Sequence, residues 1–432
     1  MNILIAILII SVIVIIHEFG HFIIAKANGV LVSEFALGLG PTILKTKKNG
    51  TLFSIKLFPF GGACIMAGEM GEDEEVNDLD KDKLFSSKSV WQRIAIIAAG
   101  PIFNFILAFV FAVFIIGSIG YDPCKLYDVS EGSAAYEAGL RQGDTITKIN
   151  GKNITFYKDY ALYSQLHTGE TMNITYMRDG QKYNAVVVPE HIVEDVYQLG
   201  VYIADGAVIS QVVENGVADL AGLKALDDII AVNDIAIETS DEAISQIRNC
   251  KGQTIELTVL RNNEQLKISV TPKLTHTNYY NTGMVFSAAR VKVNPLQTIK
   301  YSAMEVKYWI NTVFESLKLL LGGKVTKDAV AGPVGIVSAI SNVVEQSKPD
   351  GIFYVLLNLA NWVVMISANL GVMNLLPIPA LDGGRLLFLF IEVIRRKPID
   401  QKKEGIVHLI GMALLFILMF FVLFNDISRL FR

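Results

Sequence analysis

The chain has 432 residues, 52% of them hydrophobic and only 19% charged, with 42 acidic against 38 basic side chains. A soluble domain carries about 25% charged residues, so this chain is short of the surface it needs in water, and it is far too apolar for disorder. The net charge of −4 leaves no basic face for nucleic acid, and Cys64, Cys124 and Cys250 form no CxxC pair that would suggest a cysteine zinc site or a disulfide scaffold.

In chain order, residues 1–27 read as the first transmembrane helix. Asn2 to Ile16 are apolar, and the run continues through His17, Glu18 and His21 to Lys26. No basic region precedes it and no small-residue cleavage site follows, so a retained helix is expected rather than a signal peptide. His17-Glu18-Phe19-Gly20-His21 lies at the end of this span. On a helix, positions i and i+4 share a face, so both imidazoles can bind one metal with Glu18 beside them as general base. The alternative is a helix end whose polar residues merely reach the interface. It fits poorly, because ionisable groups in a span are costly and call for a partner. Residues 28–90 are expected as a cytoplasmic loop with a membrane-associated β region. Its runs FALGLGP and TLFSIKLFPFGGACIMAG are broken by Gly and Pro, and are too polar and too short to span. Residues 94–121 carry no charge, which places a second span over 91–121.

The next segment repeats itself. Ala138-Gly139-Leu140 recurs as Ala221-Gly222-Leu223, Asn150 as Asn233, Gly169 as Gly252, Arg178 as Arg261 and Pro189 as Pro272. GSAAYEAGLRQGDTITKINGKNI, from Gly132 to Ile154, resembles a bacterial, circularly permuted PDZ domain. That places PDZ-like domains at 122–191 and 200–275, the second with Asp227-Asp228 where the first has Gly143-Asp144. A duplicated β domain serving only as a spacer is the alternative. Residues 290–350 hold an amphipathic helix and a loop. Leu296 to Leu321 is apolar but interrupted by Lys300, Glu305, Lys307, Glu315 and Lys318, which suits a helix on the membrane surface. A third span is expected over 351–384, ending in NLLPIPALDGG, and a fourth over 405–425, where His408 is the one ionisable residue.

Arg385, Arg395, Arg396, Lys397, Lys402 and Lys403 make the loop after the third span cytoplasmic. Four spans then put residues 27–93 on the same side and 122–350 outside. A catalytic zinc usually takes three protein ligands. His167, His191 and His276 lie in the outside segment, and His408 stands alone. Asp382 is better placed, at the same cytoplasmic end as His17 and His21. Pro377 and Pro379 break the helical ladder before it, and irregular backbone at membrane depth must face protein or a water-filled cavity.

HEFGH in the first span with NLLPIPALDGG in the third resembles the site-2 protease family of intramembrane zinc metalloproteases, in its bacterial regulator-of-sigma-E form. GPIFNF, from Gly100 to Phe105, and the tandem PDZ-like repeat match as well. The resemblance implies Zn2+ bound by His17, His21 and Asp382, with Glu18 as base and proton shuttle. It also implies that Asn374 hydrogen-bonds the substrate, alongside Pro377 and Pro379, and that a small sheet brings Gly61 and Gly62 close to it. The implied reaction is peptide-bond hydrolysis within transmembrane segments of single-span proteins already cut by another protease, of the anti-sigma-factor type, or of remnant signal peptides. The implied location is the bacterial cytoplasmic membrane, with the PDZ-like domains outside and the active site near the cytoplasm.

The expected fold class is therefore a multi-pass α-helical membrane protein of four transmembrane helices, with a cytoplasmic-side membrane-associated β-hairpin region and two extracytoplasmic PDZ-like β domains. Two other classes are weaker. A metal transporter calls for polar residues along the spans and inverted repeats, and the sequence repeat lies in the soluble segment instead. A PDZ adaptor anchored by four helices leaves Glu18 without a role.

Overall fold

Among the described residues, four helices are long and apolar enough to cross a membrane: Ile3–Ala27, Val90–Ile119, Ile352–Leu375 and Lys403–Ser428. They belong to a computed structural model that describes residues 2–69, 81–204, 206–213, 215–262, 264–323 and 332–430. The chain divides into two units, one of residues 1–122 with 289–432 and one of residues 123–288.

The first unit opens with α1 (Asn2–Ala27), followed by β1 (Val32–Lys48) and β2 (Thr51–Met66). These two long strands fold back on themselves. Residues Glu34 to Leu37 pair with Leu52 to Ile55 on one side and with Gly62 to Ile65 on the other, while Leu44 to Lys48 pair outside Thr51 to Ile55. The hairpin is thus a four-ribbon sheet, with residues 62–66 along one edge. Phe22 of α1 holds it, packing on Phe35 and Phe53 with ring centroids 5.2 and 5.7 Å away. α2 (Val90–Ile119) starts at a capping box of Ser89 and Gln92.

The second unit contains the same arrangement twice. The first copy runs β3 (Leu126–Val129), α3 (Ala134–Glu137), β4 (Thr145–Ile149), β5 (Lys152–Asn153), α4 (Tyr157–Leu166), β6 (Met172–Arg178) and β7 (Gln181–Val187). β8 (Glu190–Gln198) leads into the second copy: β9 (Val201–Ile203), β10 (Ile209–Val212), α5 (Val217–Leu220), β11 (Asp228–Val232), β12 (Ile235–Ala236), α6 (Ser240–Asn249), β13 (Ile255–Arg261) and β14 (Glu264–Val270). β15 (Lys273–Asn281) and β16 (Met284–Phe286) close the unit. The two four-stranded sheets have matching orders, β5-β4-β6-β7 and β12-β11-β13-β14. Their boundaries differ from two consecutive segments, because the second copy is inserted into the first. β16 pairs with β3, Met284 and Phe286 pack on the first core, and β8 and β15 form the ribbon between them.

Each copy is fastened by the same ion pair, a buried carboxylate held by a partly exposed guanidinium. Arg178 forks onto Asp144 at 2.7 Å and donates to the Gly139 carbonyl; Arg261 does the same to Asp227 and Gly222. Burial pushes the Asp227 carboxyl up, but the Arg261 bonds outweigh it and hold the pKa below the ordinary value. Asp227 therefore occupies the place of Asp144, not of Gly143. The departure is Leu226, which stands where Gly143 stands and shares its left-handed backbone, φ +71° against +89°.

The chain re-enters the first unit beside its exit. Tyr121 and Val291 exchange backbone hydrogen bonds of 3.1 and 2.8 Å. α7 (Pro295–Leu321) begins at an Asn294 cap with Pro in the first turn. Its apolar face packs against other helices rather than facing lipid alone: Val306, Trp309 and Ile310 meet Ala108, Ala112 and Ile115 of α2. α8 (Pro333–Ser347), a helix the sequence pattern does not announce, contributes Ile340 to a core with Ala6, Ile9 and Ile13 of α1. α9 (Ile352–Leu375) packs Ala360 and Ala368 against α2, small residues that let backbones approach in a membrane. The expected span over 351–384 thus ends at Leu375, and Asp382 opens a separate helix, α10 (Asp382–Arg395). α11 (Gln401–Leu430) completes the unit.

Candidate metal centre

α1 carries His17, Glu18 and His21 against α2, and two glycines make the approach possible. A Cβ on Gly20 would lie 2.5 Å from the Ala99 carbonyl oxygen. A Cβ on Gly100 would lie 2.3 Å from His21 Nε2 and 2.8 Å from His17 Cε1, so the absent side chain is the space in which the two rings sit. Both histidines are buried, at 7% and 6% exposure.

Asp382 arrives from the far end of the chain. α9 breaks before Pro377 and Pro379, and the turn that follows is tight enough that a Cβ on Gly383 would strike the Leu376 carbonyl oxygen at 2.1 Å. Ala380 takes a left-handed backbone, φ +77°, and donates its N–H to His408 Nδ1 at 2.8 Å. That strain is held by α11, and it gives His408 a place in the structure. α10 is then fixed to α2 by Arg93, which forks onto Glu392 with its closer contact at 2.5 Å, while Arg385 pairs with Glu69. Leu386 and Leu389 sit in a core with Ile96 and Ile97.

The result is a convergence of three donors. His17 Nε2 is 3.1 Å from Asp382 Oδ2, His21 Nε2 is 3.5 Å from the same atom, and the two Nε2 atoms are 3.3 Å apart. The ligand atoms of His17, His21 and Asp382 all lie within 4.8 Å of one another, a group of a size that could hold a metal ion. Asp382 Oδ2 is buried facing the two imidazole nitrogens, and where both of these offer lone pairs it is left without a donor, which is costly for a carboxylate unless a cation satisfies it. Two imidazoles and a carboxylate are a donor set zinc accepts while keeping a fourth position open. His21 Nδ1 lies 2.9 Å from the Ile96 carbonyl, which can only accept, so the ring proton is on Nδ1 and the Nε2 lone pair faces the cluster.

Glu18 lies beside this group, next to the sheet edge that runs through Gly62 and Cys64. Gly62 comes close: a Cβ there would sit 3.1 Å from Glu18 Cγ. Gly61 shares that stretch of β2, with φ +92°. Asn374 is in the last turn of α9, partly buried, and Pro377 is exposed in the turn after it. Pro379 packs instead under α11, where a Cβ on Gly411 would lie 2.4 Å from its own Cβ. Gly100 and Asn104 stand in the GPIFNF stretch that carries the resemblance, but the sequence argument gave neither of them a role. The usable signal was an uncharged span that nonetheless contains an asparagine, one helical turn from a glycine.

A family profile described as Peptidase family M50 matches residues 5–418. Among curated proteins, the chain is 31% identical over 433 residues to the "Zinc metalloprotease RasP" of Geobacillus kaustophilus, covering 96% of this chain and 95% of that one. It is 30% identical over 503 residues to the "Regulator of sigma-W protease RasP" of Bacillus subtilis, covering 98% of each. Among solved structures, the HtrA3 PDZ domain bound to a phage-derived ligand covers 20% of this chain and 92% of its own, at 19% identity and a TM-score of 0.18.

Proposed function

The chain belongs to peptidase family M50, the site-2 protease family of intramembrane zinc proteases, and on that footing we propose that His17, His21 and Asp382 hold its zinc and that Glu18 is its general base. The convergence of the two Nε2 atoms on Asp382 Oδ2 carries this reading. Zinc bound there supplies Lewis acidity toward the scissile carbonyl and a bound water of lowered pKa. The Glu18 carboxylate takes a proton from the attacking water and passes it to the departing amide nitrogen.

A substrate helix hides its carbonyls in its own hydrogen bonds, so it must unwind to be cut. Residues 62–66 offer a strand edge next to Glu18, and backbone pairing there replaces the bonds lost. Asn374, Pro377, Pro379, Gly61 and Gly62 are the substrate contacts in this proposal. The substrates are single-span proteins of the anti-sigma-factor type, shortened beforehand by another protease, and remnant signal peptides. The centre lies near the cytoplasmic side of a bacterial cytoplasmic membrane, with the duplicated unit outside as two PDZ-like domains that filter substrates by size.

A second reading of that unit has its own observation. The second copy has a groove of about 410 Å³ between β9 and α6, lined by Leu199, Val201, Ile203, Val213, Ile244 and Arg248. In the first copy Tyr157 and Tyr160 pack on Phe286 instead, with centroids 5.1 and 4.3 Å away. A peptide end could add to β9, making the second copy a recruiting site rather than part of a filter.

The test is zinc content and cleavage of a single-span substrate by detergent-purified protein, compared with His21→Ala and Asp382→Ala. Both variants should lose metal and activity together. Full zinc in His21→Ala would overturn the ligand assignment. Unchanged zinc with a reduced rate in Asp382→Ala would move Asp382 from the metal to the substrate.

A further inference from the structure

Asn104 sits on α2 with no surface exposed, inside a segment without charge. A buried amide in a membrane span is expensive unless its polar atoms are used. Its backbone carbonyl accepts from Ser367 Oγ of α9 at 2.8 Å, which fixes this point of α2. Its side-chain nitrogen lies 3.1 Å from His17 Nδ1. In that orientation Nδ2 donates to the ring, and Asn104 Oδ1 is left buried with no partner. The same orientation requires the imidazole proton to be on Nε2, the atom that faces Asp382 and His21. A protonated Nε2 has no lone pair to give a metal. Turning the amide over exchanges two atoms of nearly equal size. His17 Nδ1–H then donates to Asn104 Oδ1, and the Nε2 lone pair faces the cluster. His21 reaches the same state through the Ile96 carbonyl.

We propose that Asn104 is a positioning residue whose Oδ1 accepts a hydrogen bond from His17 Nδ1–H and so sets the tautomer and ring orientation in which His17 offers Nε2 to the metal. The proposal rests on the reading that His17, His21 and Asp382 hold zinc. It makes the acceptor the essential property, so a carboxylate should replace the amide and an alkyl group should not.

The experiment uses the full chain in detergent, with zinc affinity measured by competition against a chelator and the visible spectrum of the Co2+-loaded protein as the signature of its ligand set. Asn104→Asp should keep zinc affinity within a few-fold of wild type or better, with an unchanged Co2+ spectrum. Asn104→Leu, close in size, should lose about 10–100-fold in affinity, the range found when a histidine ligand loses its supporting partner, and should alter the spectrum. Asn104→Ala repeats the test without added bulk, and thermal unfolding of the zinc-free forms checks that each variant folds. Wild-type affinity in both Leu and Ala variants overturns the proposal, as does an Asp variant that falls as far as they do. His21→Ala separates the premise: if it keeps zinc, the ligand reading fails, whereas if it loses zinc and Asn104→Leu does not, only the role of Asn104 fails.

Discussion

Replacing Gly100 with alanine adds one methyl group at the place where the two imidazoles meet. That Cβ would lie 2.3 Å from His21 Nε2, 2.6 Å from its Cε1 and 2.8 Å from His17 Cε1, where ordinary contact begins near 3.4 Å. The rings must retreat by about 1 Å, several times the roughly 0.2 Å within which metal–ligand distances hold. Misplacement of about 1 Å costs roughly 100-fold in rate where geometry is critical. Gly100→Ala should therefore lose zinc and at least that factor in cleavage. Gly117 on the same helix is the control, since its nearest neighbour for a Cβ is Thr298 Cγ2 at 3.8 Å. Gly117→Ala should keep both zinc and activity and gain about 0.5–1 kcal/mol from helix propensity. Zinc by mass spectrometry and cleavage of a single-span substrate provide the assay. A Gly100→Ala protein with full zinc and normal turnover would refute the account of this site.

Three further outcomes are expected. Glu18→Gln should retain zinc but lose roughly 10²–10⁴ in rate or more, because the amide keeps the shape and not the base; near wild-type cleavage would remove Glu18 from the chemistry. Arg261→Met should destabilise residues 123–288 by about 1–3 kcal/mol at pH 7, since it leaves the buried Asp227 carboxylate with the Lys224 backbone N–H but without its guanidinium, which is itself partly exposed. Because the folded pKa of Asp227 is depressed, the pair stabilises fully above the unfolded value of about 3.9 and less as pH falls, so thermal unfolding of wild type and variant should converge in acid. Excising residues 123–288 and joining the chain where Tyr121 and Val291 already pair should leave the membrane unit folded and zinc-loaded. A size filter predicts that the excised form cuts untrimmed substrates. Recruitment through the β9 groove predicts slower cutting of trimmed ones, and assaying both lengths decides between them.

The features legible in the sequence were those carried by short-range periodicity. Apolar runs uninterrupted by charge mark the four spans, because about 20 apolar residues suffice to cross hydrocarbon whatever surrounds them. His17 and His21 share a helix face by spacing alone, and recurrence from Ala138 to Ala221 and from Arg178 to Arg261 exposes the duplication. Tertiary structure decided what depends on partners distant in the chain. Asp382 reaches the histidines only because the chain turns at Pro377 to Leu381 and α10 is pinned to α2 by Arg93 and Glu392. A strand does not encode its partner, so neither the pairing of β3 with β16 nor the refolding of β1 and β2 into four ribbons could be read in advance. Gly100 and Asn104 belong to a stretch that resembles the family, but nothing in their types or spacing says what they touch. Their meaning comes from packing density, which leaves room for two imidazoles where a methyl group would not fit and brings a single amide within reach of one ring nitrogen.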